Sequence, residues 1–455
     1  MKNIKVNSKL IKKNDIFLCI HDKVLDRHTF IKDIKDASLI ITDKDVDTTI
    51  PYIKVNNTND TYYNLLNRYY NHPFNKLKLI GITGTDGKTT TSEITYNLLN
   101  NFYDTSYLGT NGLYYKDKKI STKNTTPSLE ELFNIGDILN KENINYLVME
   151  TSSEGLLHNR CYNLSFYRSA LTNITSDHLN VHKNFNNYLN AKSKLFIQTK
   201  GISILNIDDK TYKKIKKHCN TYITYGTKKS DYRISNIKCY DTFTTFSIKY
   251  KNKLYNIKSP YLGIFNVYNL TCSIAIVNSI VNDIDKVIDK IKYLKQVEGR
   301  MNFLNFNQDY KIVLDYAHTT NATYQILSYI NKIKKGRIIT VVGCAGGRDK
   351  TKRKDIGSII SKYSDIAIFT KDDPRYENIN NIFNDMTKNI TKDNYLLIKN
   401  RKKAIYKALS IAKKDDFVLI LGKGKDNYMA IKNKYKKYND YKVIKKYFRK
   451  KKLHL

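Results

Sequence analysis

The stretch KLKLIGITGTDGKTTTSEITYNLLN, residues 76–100, decides the fold class. An apolar run ends at glycines, continues through Lys88 and becomes a helical pattern. Such a turn aims backbone N–H groups at a phosphate from a helix N-terminus. The strict pattern GxxxxGK[ST] would place its first glycine at Ile82, so the match is to the shorter GTDGKT of residues 84–89. Lys88 adds a positive charge, and the hydroxyl of Thr89 can bind Mg²⁺. We interpret the stretch as a phosphate-binding loop.

The chain divides into three regions that differ in their pattern of predicted strands and helices. Residues 1–74 hold short strands such as DIFLCI and SLIITD, and residues 75–299 alternate strands with helices, with a β-rich insert at about 219–262. From residue 300 the pattern restarts with YKIVLDYAH, RIITVVGCAGG, DIAIFTKDD and FVLILGKGKD, four apolar strands that end in polar loops. We therefore predict an α/β protein of three domains: a small N-terminal α/β domain, a central P-loop ATPase-like parallel sheet, and a C-terminal Rossmann-like domain.

Composition narrows the class of protein. The 455 residues include 79 Lys and Arg against 42 Asp and Glu, a net charge of +37. Lysine is abundant along the whole chain, and only the final run KKYNDYKVIKKYFRKKKLHL concentrates it. We expect a basic surface and a solvated tail, with nucleic-acid binding by the tail as the alternative. The six cysteines are scattered, which disfavours a disulfide framework or a zinc ribbon. With a polar start and no run of about 18 apolar residues, we expect a soluble cytoplasmic protein without membrane insertion.

Other candidate residues follow the predicted strands. Glu150 ends the strand YLVMET, where its carboxylate can approach the phosphate loop and hold Mg²⁺. Asp177 and His178 follow the next strand, and Lys192 falls on the helix after it, whereas we interpret His182 as structural. The loops of the second sheet carry further charged and polar groups, which predict one binding face: Asp315, Tyr316, His318, Arg348, Asp349, Lys352, Arg353, Asp372, Asp373, Arg375, Lys423, Lys425 and Asp426.

Taken together, these motifs resemble the Mur ligase family along essentially the whole chain. DYAHT at residues 315–319 resembles the MurE branch, and NTTPS, EGRM, DDPR and GKGKDNY agree with it in order. The resemblance implies an enzyme of peptidoglycan precursor synthesis. In that family ATP phosphorylates a substrate carboxylate, and an amino group then attacks the acyl phosphate. Closure of the last domain on the central one should complete the site.

The resemblance also implies roles for individual residues. Lys88, Lys192, Glu150 and His178 would be catalytic. Thr89, Glu150, His178 and a carbamylated Lys192 would hold Mg²⁺. The ATP-binding residues would be Gly84, Thr85, Asp86, Gly87, Lys88, Thr89, Thr90, Asn266, Asn269, Arg300 and Asp315. Asp86 departs from the family's usual Asn, and a carboxylate beside a phosphate loop should repel ATP unless it is satisfied elsewhere.

For the substrates, the resemblance implies a UDP-MurNAc-dipeptide and a diamino acid. Residues 1–74 would bind the UDP-sugar, and residues 300–455 the amino acid. Ser8, Thr125, Thr126, Ser152 and Arg160 would bind the UDP-MurNAc-peptide, and Asp372, Asp373, Pro374, Arg375, Gly422 and Asp426 the amino acid. Arg375 suits the second carboxylate of meso-2,6-diaminopimelate. L-Lysine is the alternative, since Asp373 could pair with Arg375 and occupy it. Glu154 stands where this branch usually has His.

Two other functions stay open at this stage. One is a Mur-like amide ligase that acts on a different carboxylate, as folylpolyglutamate and cyanophycin synthetases do. The other is a nucleotide-binding protein without catalysis, which would use its basic tail to hold a partner. We expect a monomer.

Overall fold

The computed structural model describes residues 3–452. The N-terminal region forms a four-stranded parallel sheet in the order β1-β2-β3-β4. Its strands are β1 (Ile4–Lys5), β2 (Asp15–Leu18), β3 (Ala37–Thr42) and β4 (Tyr52–Lys54). Helix α1 (Thr58–Tyr69) follows, and the side chain of Asn57 caps it by accepting from the N–H groups of Asn59 and Asp60. Short 3₁₀ helices span Ser8–Leu10, Arg27–Asp33 and Pro73–Asn75.

The central region is built on one eleven-stranded sheet in the order β15-β14-β13-β12-β11-β10-β5-β9-β6-β7-β8. Its strands are β5 (Lys78–Thr83), β6 (Thr105–Gly109), β7 (Gly112–Tyr115), β8 (Lys118–Ile120), β9 (Tyr146–Glu150), β10 (Phe166–Leu171), β11 (Thr199–Asn206), β12 (Thr221–Gly226), β13 (Tyr232–Cys239), β14 (Thr244–Tyr250) and β15 (Lys253–Ser259). Strand β5 pairs in parallel with β9 and β10, so the loops after these three strands meet at one edge.

Helices cover the central sheet. They are α2 (Lys88–Leu99), α3 (Leu129–Lys141), α4 (Ser153–Leu157), α5 (Leu179–His182), α6 (Phe185–Ile197), α7 (Tyr212–Lys216), α8 (Ile264–Val281) and α9 (Ile284–Asp289), followed by a 3₁₀ turn at Lys290–Tyr293. Helix α8 is apolar and long enough by length and composition to cross a membrane, contrary to the expected absence of such a run, but 72% of it is buried inside the protein. It packs against α2 and serves as a core helix.

The predicted β-rich insert is present as strands β12 to β15. These strands extend the central sheet at one edge. Strand β12 pairs in parallel with β11, and β13, β14 and β15 then run as antiparallel neighbours. Hydrogen bonding to β12 thus continues the parallel sheet into the insert.

The C-terminal region holds a six-stranded sheet in the order β16-β17-β21-β18-β19-β20. Its strands are β16 (Asn302–Leu304), β17 (Lys311–Asp315), β18 (Ile338–Val342), β19 (Ile366–Thr370), β20 (Tyr395–Ile398) and β21 (Phe417–Leu421), with a separate hairpin of β22 (Tyr428–Ile431) and β23 (Lys434–Lys437). The helices are α10 (Thr320–Ile333), α11 (Arg353–Tyr363), α12 (Ile379–Thr387), α13 (Arg401–Ile411) and α14 (Asp440–Lys452).

The four predicted C-terminal strands are present as β17, β18, β19 and β21, and all four pair in parallel. The hydrogen-bonded edge strands β16 and β20 and the hairpin were not predicted, because each is only three or four residues long. The basic run at the C-terminus is mostly helix α14, which packs Ile444 and Phe448 against the domain, and its last three residues lie outside the described part of the chain.

Candidate active site

A cavity of about 910 Å³ lies between the central sheet and the C-terminal domain. It brings together residues predicted from distant parts of the sequence: Thr85, Asp86, Gly87, Lys88, Thr89, Thr90, Thr125, Glu150, Ser152, Arg160, His178, Lys192, Asn266, Asn269, Arg300, Asp315, Asp372, Asp373, Arg375, Gly422 and Asp426. Gly84, Thr126 and Pro374 are adjacent in sequence to lining residues but do not line the cavity themselves. Ser8 does not line the cavity; it begins the 3₁₀ helix Ser8–Leu10 in the N-terminal domain.

The phosphate loop packs closely against neighbouring segments of the central domain. A Cβ atom at Gly84 would stand 1.8 Å from Oγ1 of Thr172, and one at Gly87, where φ is +83°, 2.4 Å from Oδ1 of Asn269. Only glycine fits both positions, which brings the loop close to its neighbours. The Nζ of Lys88 donates to the carbonyl of Gly84 at 2.9 Å, and so does the Nζ of Lys192 at 2.7 Å. Two amines therefore converge on this carbonyl.

Lys192 is the more deeply buried of the two, with 1% of its surface exposed. Its Nζ lies 4.7 Å from the ring centre of Tyr188. Burial, and then the neighbouring Lys88, lower the pKa of Lys192 well below its usual value. No carboxylate among residues 3–452 lies within ion-pair distance of Lys192, so it is a buried amine held by a carbonyl and an aromatic face.

Glu150 lies at the end of β9 and is fully buried. Its carboxylate accepts hydrogen bonds from the hydroxyl of Thr89 at 3.0 Å, from the hydroxyl of Tyr107 at 2.7 Å, and from the backbone N–H and the hydroxyl of Thr110 at 2.8 and 3.2 Å. These donors replace water around a buried charge. The predicted contact between Glu150 and the first turn of α2 is therefore present.

His178 lies on the other side of the loop, in a left-handed backbone conformation with φ of +56°. Its ring nitrogens are 3.6 Å from Glu154 and 3.5 Å from Asp177. Burial lowers the pKa of His178 to about 4 despite these two carboxylates, so the ring is neutral at pH 7. The C-terminal domain reaches the same carboxylates, since Arg348 is 3.4 Å from Glu154 and Lys352 is 3.0 Å from Asp177.

The residues assigned to the peptide end of the substrate lie together. The hydroxyl of Thr126 donates to the backbone carbonyl of Glu150 at 2.9 Å, and the backbone N–H of Ser152 donates to that hydroxyl at 2.9 Å. Arg160 donates to the carbonyl of Thr126 at 3.0 Å. The hydroxyls of Thr125 and Thr110 are 3.2 Å apart. This network joins the strand that carries Glu150 to the wall of the cavity.

Arg300, Asp315, Asn266 and Asn269 line another part of the cavity. Arg300 donates to the hydroxyl of Thr89 at 2.9 Å, and its guanidinium lies 4.7 Å from the ring centre of Tyr316. Asp315 accepts from the backbone N–H groups of Met301 and Ala317, each at 2.7 Å. Burial raises the pKa of Asp315. On α8, the side chains of Asn266 and Asn269 are joined by a hydrogen bond of 3.0 Å.

The DDPR segment corrects one expectation. Asp373 does not pair with Arg375; it accepts instead from Nζ of Lys423 at 2.9 Å and from the backbone N–H of Ala430 at 3.0 Å. Lys423 is 1% exposed and also lies 3.1 Å from Asp426, which accounts for the turn of Asp373 towards the interior. Within residues 3–452, no carboxylate lies within 4.0 Å of the Arg375 guanidinium.

Comparison with known proteins identifies this arrangement. The profile described as "Mur ligase middle domain" matches residues 82–277, and the one described as "Mur ligase, glutamate ligase domain" matches residues 299–424. The chain belongs to the Mur ligase family. It is 38% identical to UDP-N-acetylmuramoyl-L-alanyl-D-glutamate--2,6-diaminopimelate ligase 1 of Clostridium acetobutylicum, over 98% of this chain and 94% of that protein. The correspondingly named ligase of Clostridium botulinum is 35% identical over the same shares of the two chains.

Solved structures agree on the fold of this Mur ligase. A UDP-N-acetylmuramoyl-L-alanyl-D-glutamate--2,6-diaminopimelate ligase superposes with a TM-score of 0.67 at 24% identity, over 99% of this chain and 95% of the other. MurF ligase from Thermotoga maritima in complex with ADP gives 0.64 at 21% identity, over 92% and 93%. The three-domain α/β prediction is thus confirmed, and the curated relatives confirm the MurE branch, whose members are ATP-dependent acid–amino-acid ligases.

Several residues at this Mur ligase site were not predicted. Thr110 and Tyr107 lie on a hairpin whose sequence carries no recognisable motif, yet both bind Glu150. Thr319 and Asn321, at the start of α10, bind Asp86 of the phosphate loop. Arg375 is anchored by the unpredicted hairpin, since its backbone N–H donates to Ala430 and its carbonyl accepts from Lys432. These contacts all join residues that are distant in sequence, so no local sequence signal could have predicted them.

Proposed function

We propose that this Mur ligase joins meso-2,6-diaminopimelate to UDP-MurNAc-L-Ala-D-Glu in peptidoglycan precursor synthesis. The observation that carries the choice of amino acid is Arg375, a guanidinium in the cavity wall without a carboxylate partner among the described residues. A distal carboxylate would supply that partner through two parallel hydrogen bonds. Lys423 lies within 4.0 Å of three carboxyl groups, those of Asp372, Asp373 and Asp426, so acidic groups outnumber the one lysine, which favours an ammonium group beside them.

The reaction has two steps. A carboxylate oxygen of the UDP-MurNAc-dipeptide attacks the γ-phosphorus of ATP, the bond from that phosphorus to the β–γ bridging oxygen breaks, and ADP leaves. The amino group then attacks the acyl phosphate, loses a proton, and releases inorganic phosphate. The ammonium of Lys88 contacts the carbonyl of Thr85, and Arg300 contacts the hydroxyl of Thr89; both cations would offset negative charge as the phosphoryl group moves. Closure around the cavity keeps water from the acyl phosphate.

The oxygen-rich surroundings of the phosphate loop fit Mg²⁺. Thr89 and Glu150 offer hard oxygen ligands in direct contact with each other, and His178 offers a neutral ring nitrogen. The residues described contain no group of three or more His, Cys, Asp or Glu side chains able to hold a metal alone, so ATP oxygens and water would complete the ligand set. Bound there, the ion would neutralise charge on the phosphates and orient them.

Lys192 is proposed as the site of carbamylation. Its amine is buried beside the phosphate loop without an anionic partner among residues 3–452, so reaction with CO₂, with loss of one proton, would convert it into a carbamate. A carbamate would face the metal as an anion, whereas a lysine cation would repel it. Mass spectrometry of the intact protein under CO₂ should detect the adduct, and its absence from Lys192→Ala would assign it. An adduct retained in that variant would contradict the proposal.

The remaining assignments are proposals of the same kind. Residues 1–74 would bind the UDP-sugar, residues 75–299 ATP, and residues 300–455 the amino acid. Ser8 would reach the uridine from outside the cavity. We infer a monomer working in the cytoplasm, where ATP is available, without a specific nucleic acid partner.

The direct test is release of inorganic phosphate by purified protein with UDP-MurNAc-L-Ala-D-Glu, ATP and Mg²⁺. Parallel reactions contain meso-diaminopimelate, L-lysine or L-ornithine. We expect the highest kcat/KM with meso-diaminopimelate. A higher value with L-lysine would refute the assigned amino acid, and no release with any amino acid would refute the whole assignment. Failure of residues 1–74 to contribute uridine nucleotide binding would favour a ligase of another carboxylate.

A further inference from the structure

Asp86 is the one acidic residue of the phosphate loop GTDGKT, and phosphate binding gives no reason for a carboxylate there. Its backbone is fixed within the central domain: the N–H donates to Oδ1 of Asn173 at 3.1 Å, and the carbonyl accepts from Oγ1 of Thr172 at 2.6 Å. The main chain of Asp86 is therefore held by the loop after β10. Its side chain is free to point elsewhere.

The Asp86 carboxylate reaches across to the C-terminal domain. Oδ1 accepts from the hydroxyl of Thr319 at 2.9 Å, and Oδ2 accepts from the side-chain amide of Asn321 at 3.0 Å. Both carboxylate oxygens are thus bound by donors more than 230 positions away in sequence. The charge that should repel ATP is therefore bound by two donors of the C-terminal domain.

The contact is built into the start of helix α10. Thr319 is the N-cap of this helix and is 2% exposed; its hydroxyl accepts from the backbone N–H of Ala322 at 3.0 Å. The same hydroxyl gives its only proton to Asp86. An anion at a helix N-terminus is also favoured by the exposed backbone N–H groups and the helix dipole. Asp86 therefore caps α10 indirectly, through Thr319.

We propose that Asp86 is a positioning residue that latches the phosphate loop to α10 and so stabilises the closed arrangement of the central and C-terminal domains. The latch joins the two parts of the site that must hold one ATP molecule, since Asp315 ends β17, the strand that leads into α10. It acts through Thr319 and Asn321 and does not contact the reacting atoms. It depends on the ATP-dependent reaction of the family and not on which amino acid is added.

The test measures both the extent of domain closure and the kinetic constants of the whole chain. The variants are Asp86→Ala on the loop side, Asn321→Ala on the helix side, and their double substitution; Thr319→Ser is the conservative variant, because serine keeps both hydrogen bonds. Asp289→Ala is the matched control, since within residues 3–452 Asp289 forms ion pairs only with Lys290 and Lys292 beside it. Small-angle X-ray scattering without nucleotide measures the radius of gyration, and phosphate release measures kcat and KM for ATP.

We expect Asp86→Ala and Asn321→Ala each to raise the radius of gyration and to lower kcat/KM for ATP by about tenfold, the effect of about 1.4 kcal/mol. The double variant should lose no more than Asp86→Ala alone, since Asp86→Ala already removes the hydrogen bond from Asn321. Thr319→Ser and Asp289→Ala should match the unmodified protein. An unchanged radius of gyration in Asp86→Ala, or losses that multiply in the double variant, would overturn the latch and leave the ligase assignment untouched.

Discussion

Replacement of Arg375 by glycine is the sharpest perturbation of amino-acid selection. Arg375 has φ of +50°, a left-handed conformation that glycine adopts without the clash of a Cβ atom. Arg375→Gly therefore removes the guanidinium and at the same time relieves the backbone strain of a left-handed arginine. Its backbone hydrogen bonds to Ala430 and Lys432 can persist. A loss of activity in this variant reports on the side chain and not on folding.

The magnitude follows from what Arg375 contacts. Its guanidinium makes one long contact, 3.5 Å from Nη1 to the carbonyl of Gly346, and has no ion pair among the described residues. Little internal bonding is lost with it, so the change reports mainly on ligand contacts. A hydrogen bond to a charged group is worth about 1.5–3 kcal/mol. At about 1.4 kcal/mol per factor of ten, we expect kcat/KM for meso-diaminopimelate to fall about 10- to 150-fold.

The assay is phosphate release with meso-diaminopimelate and L-lysine, run beside thermal unfolding. L-Lysine lacks the distal carboxylate, so its kcat/KM should change less than about threefold. A change of that size corresponds to the weak interactions that a half-buried guanidinium makes with other groups. Arg375→Lys should recover part of the loss, because an ammonium keeps the charge without the bidentate geometry. An equal fall for both amino acids, with an unchanged melting temperature, would show that Arg375 does not read the distal carboxylate.

Three further changes test other parts of the structure. Glu150→Gln places an amide NH₂ against two of the four donors that now bind the carboxylate and removes its charge, so we expect kcat to fall at least about 100-fold; unchanged kcat would exclude an electrostatic role. Burial lowers the pKa of His182 to about 4, so His182 is neutral in the folded state; stability should be full above about pH 6.5 and fall as the pH drops towards 4, and His182→Gln should flatten this slope in pH-dependent denaturation. Arg401 and Asp440 form an ion pair with both side chains fully buried, so Asp440→Ala should cost about 3–5 kcal/mol in urea unfolding, and a loss below about 1 kcal/mol would contradict that burial.

The sequence predicted the elements whose signal is local. The strand before GTDGKT and the parallel C-terminal strands carry short apolar runs, and each is present. The edge strands β16 and β20 were not foreseen, since a three- or four-residue strand exists only through its neighbour's hydrogen bonds. For the same reason the continuation of the central sheet into the β-rich insert could not be predicted: it depends on which strand β12 meets.

In the site, too, the types of residue were predictable from the sequence, whereas the residues with which they interact were not. The residue types at the carboxyl ends of the strands predicted one cavity, and Lys88, Glu150 and Arg300 lie in it. The partners of each charge were not predictable. Asp373 is adjacent to Pro374 and Arg375 in sequence, yet its partner is Lys423, 50 positions away. A buried lysine attracts a carboxylate more strongly than a half-exposed arginine does, because less water competes for the pair.

The two central-domain departures from the family's usual residues now share one explanation. Asp86 and Glu154 each place a carboxylate on the central side of the cavity, and each faces a donor of the C-terminal domain: Asn321 for Asp86 and Arg348 for Glu154. A carboxylate that only lined the phosphate loop would weaken ATP binding, whereas one that bonds the opposite domain stabilises closure. With Lys352 bound to a third carboxylate, the junction pairs acidic groups of one domain with basic or amide groups of the other. Domain closure in this ligase should therefore weaken as salt is raised, because partly exposed charge pairs are screened.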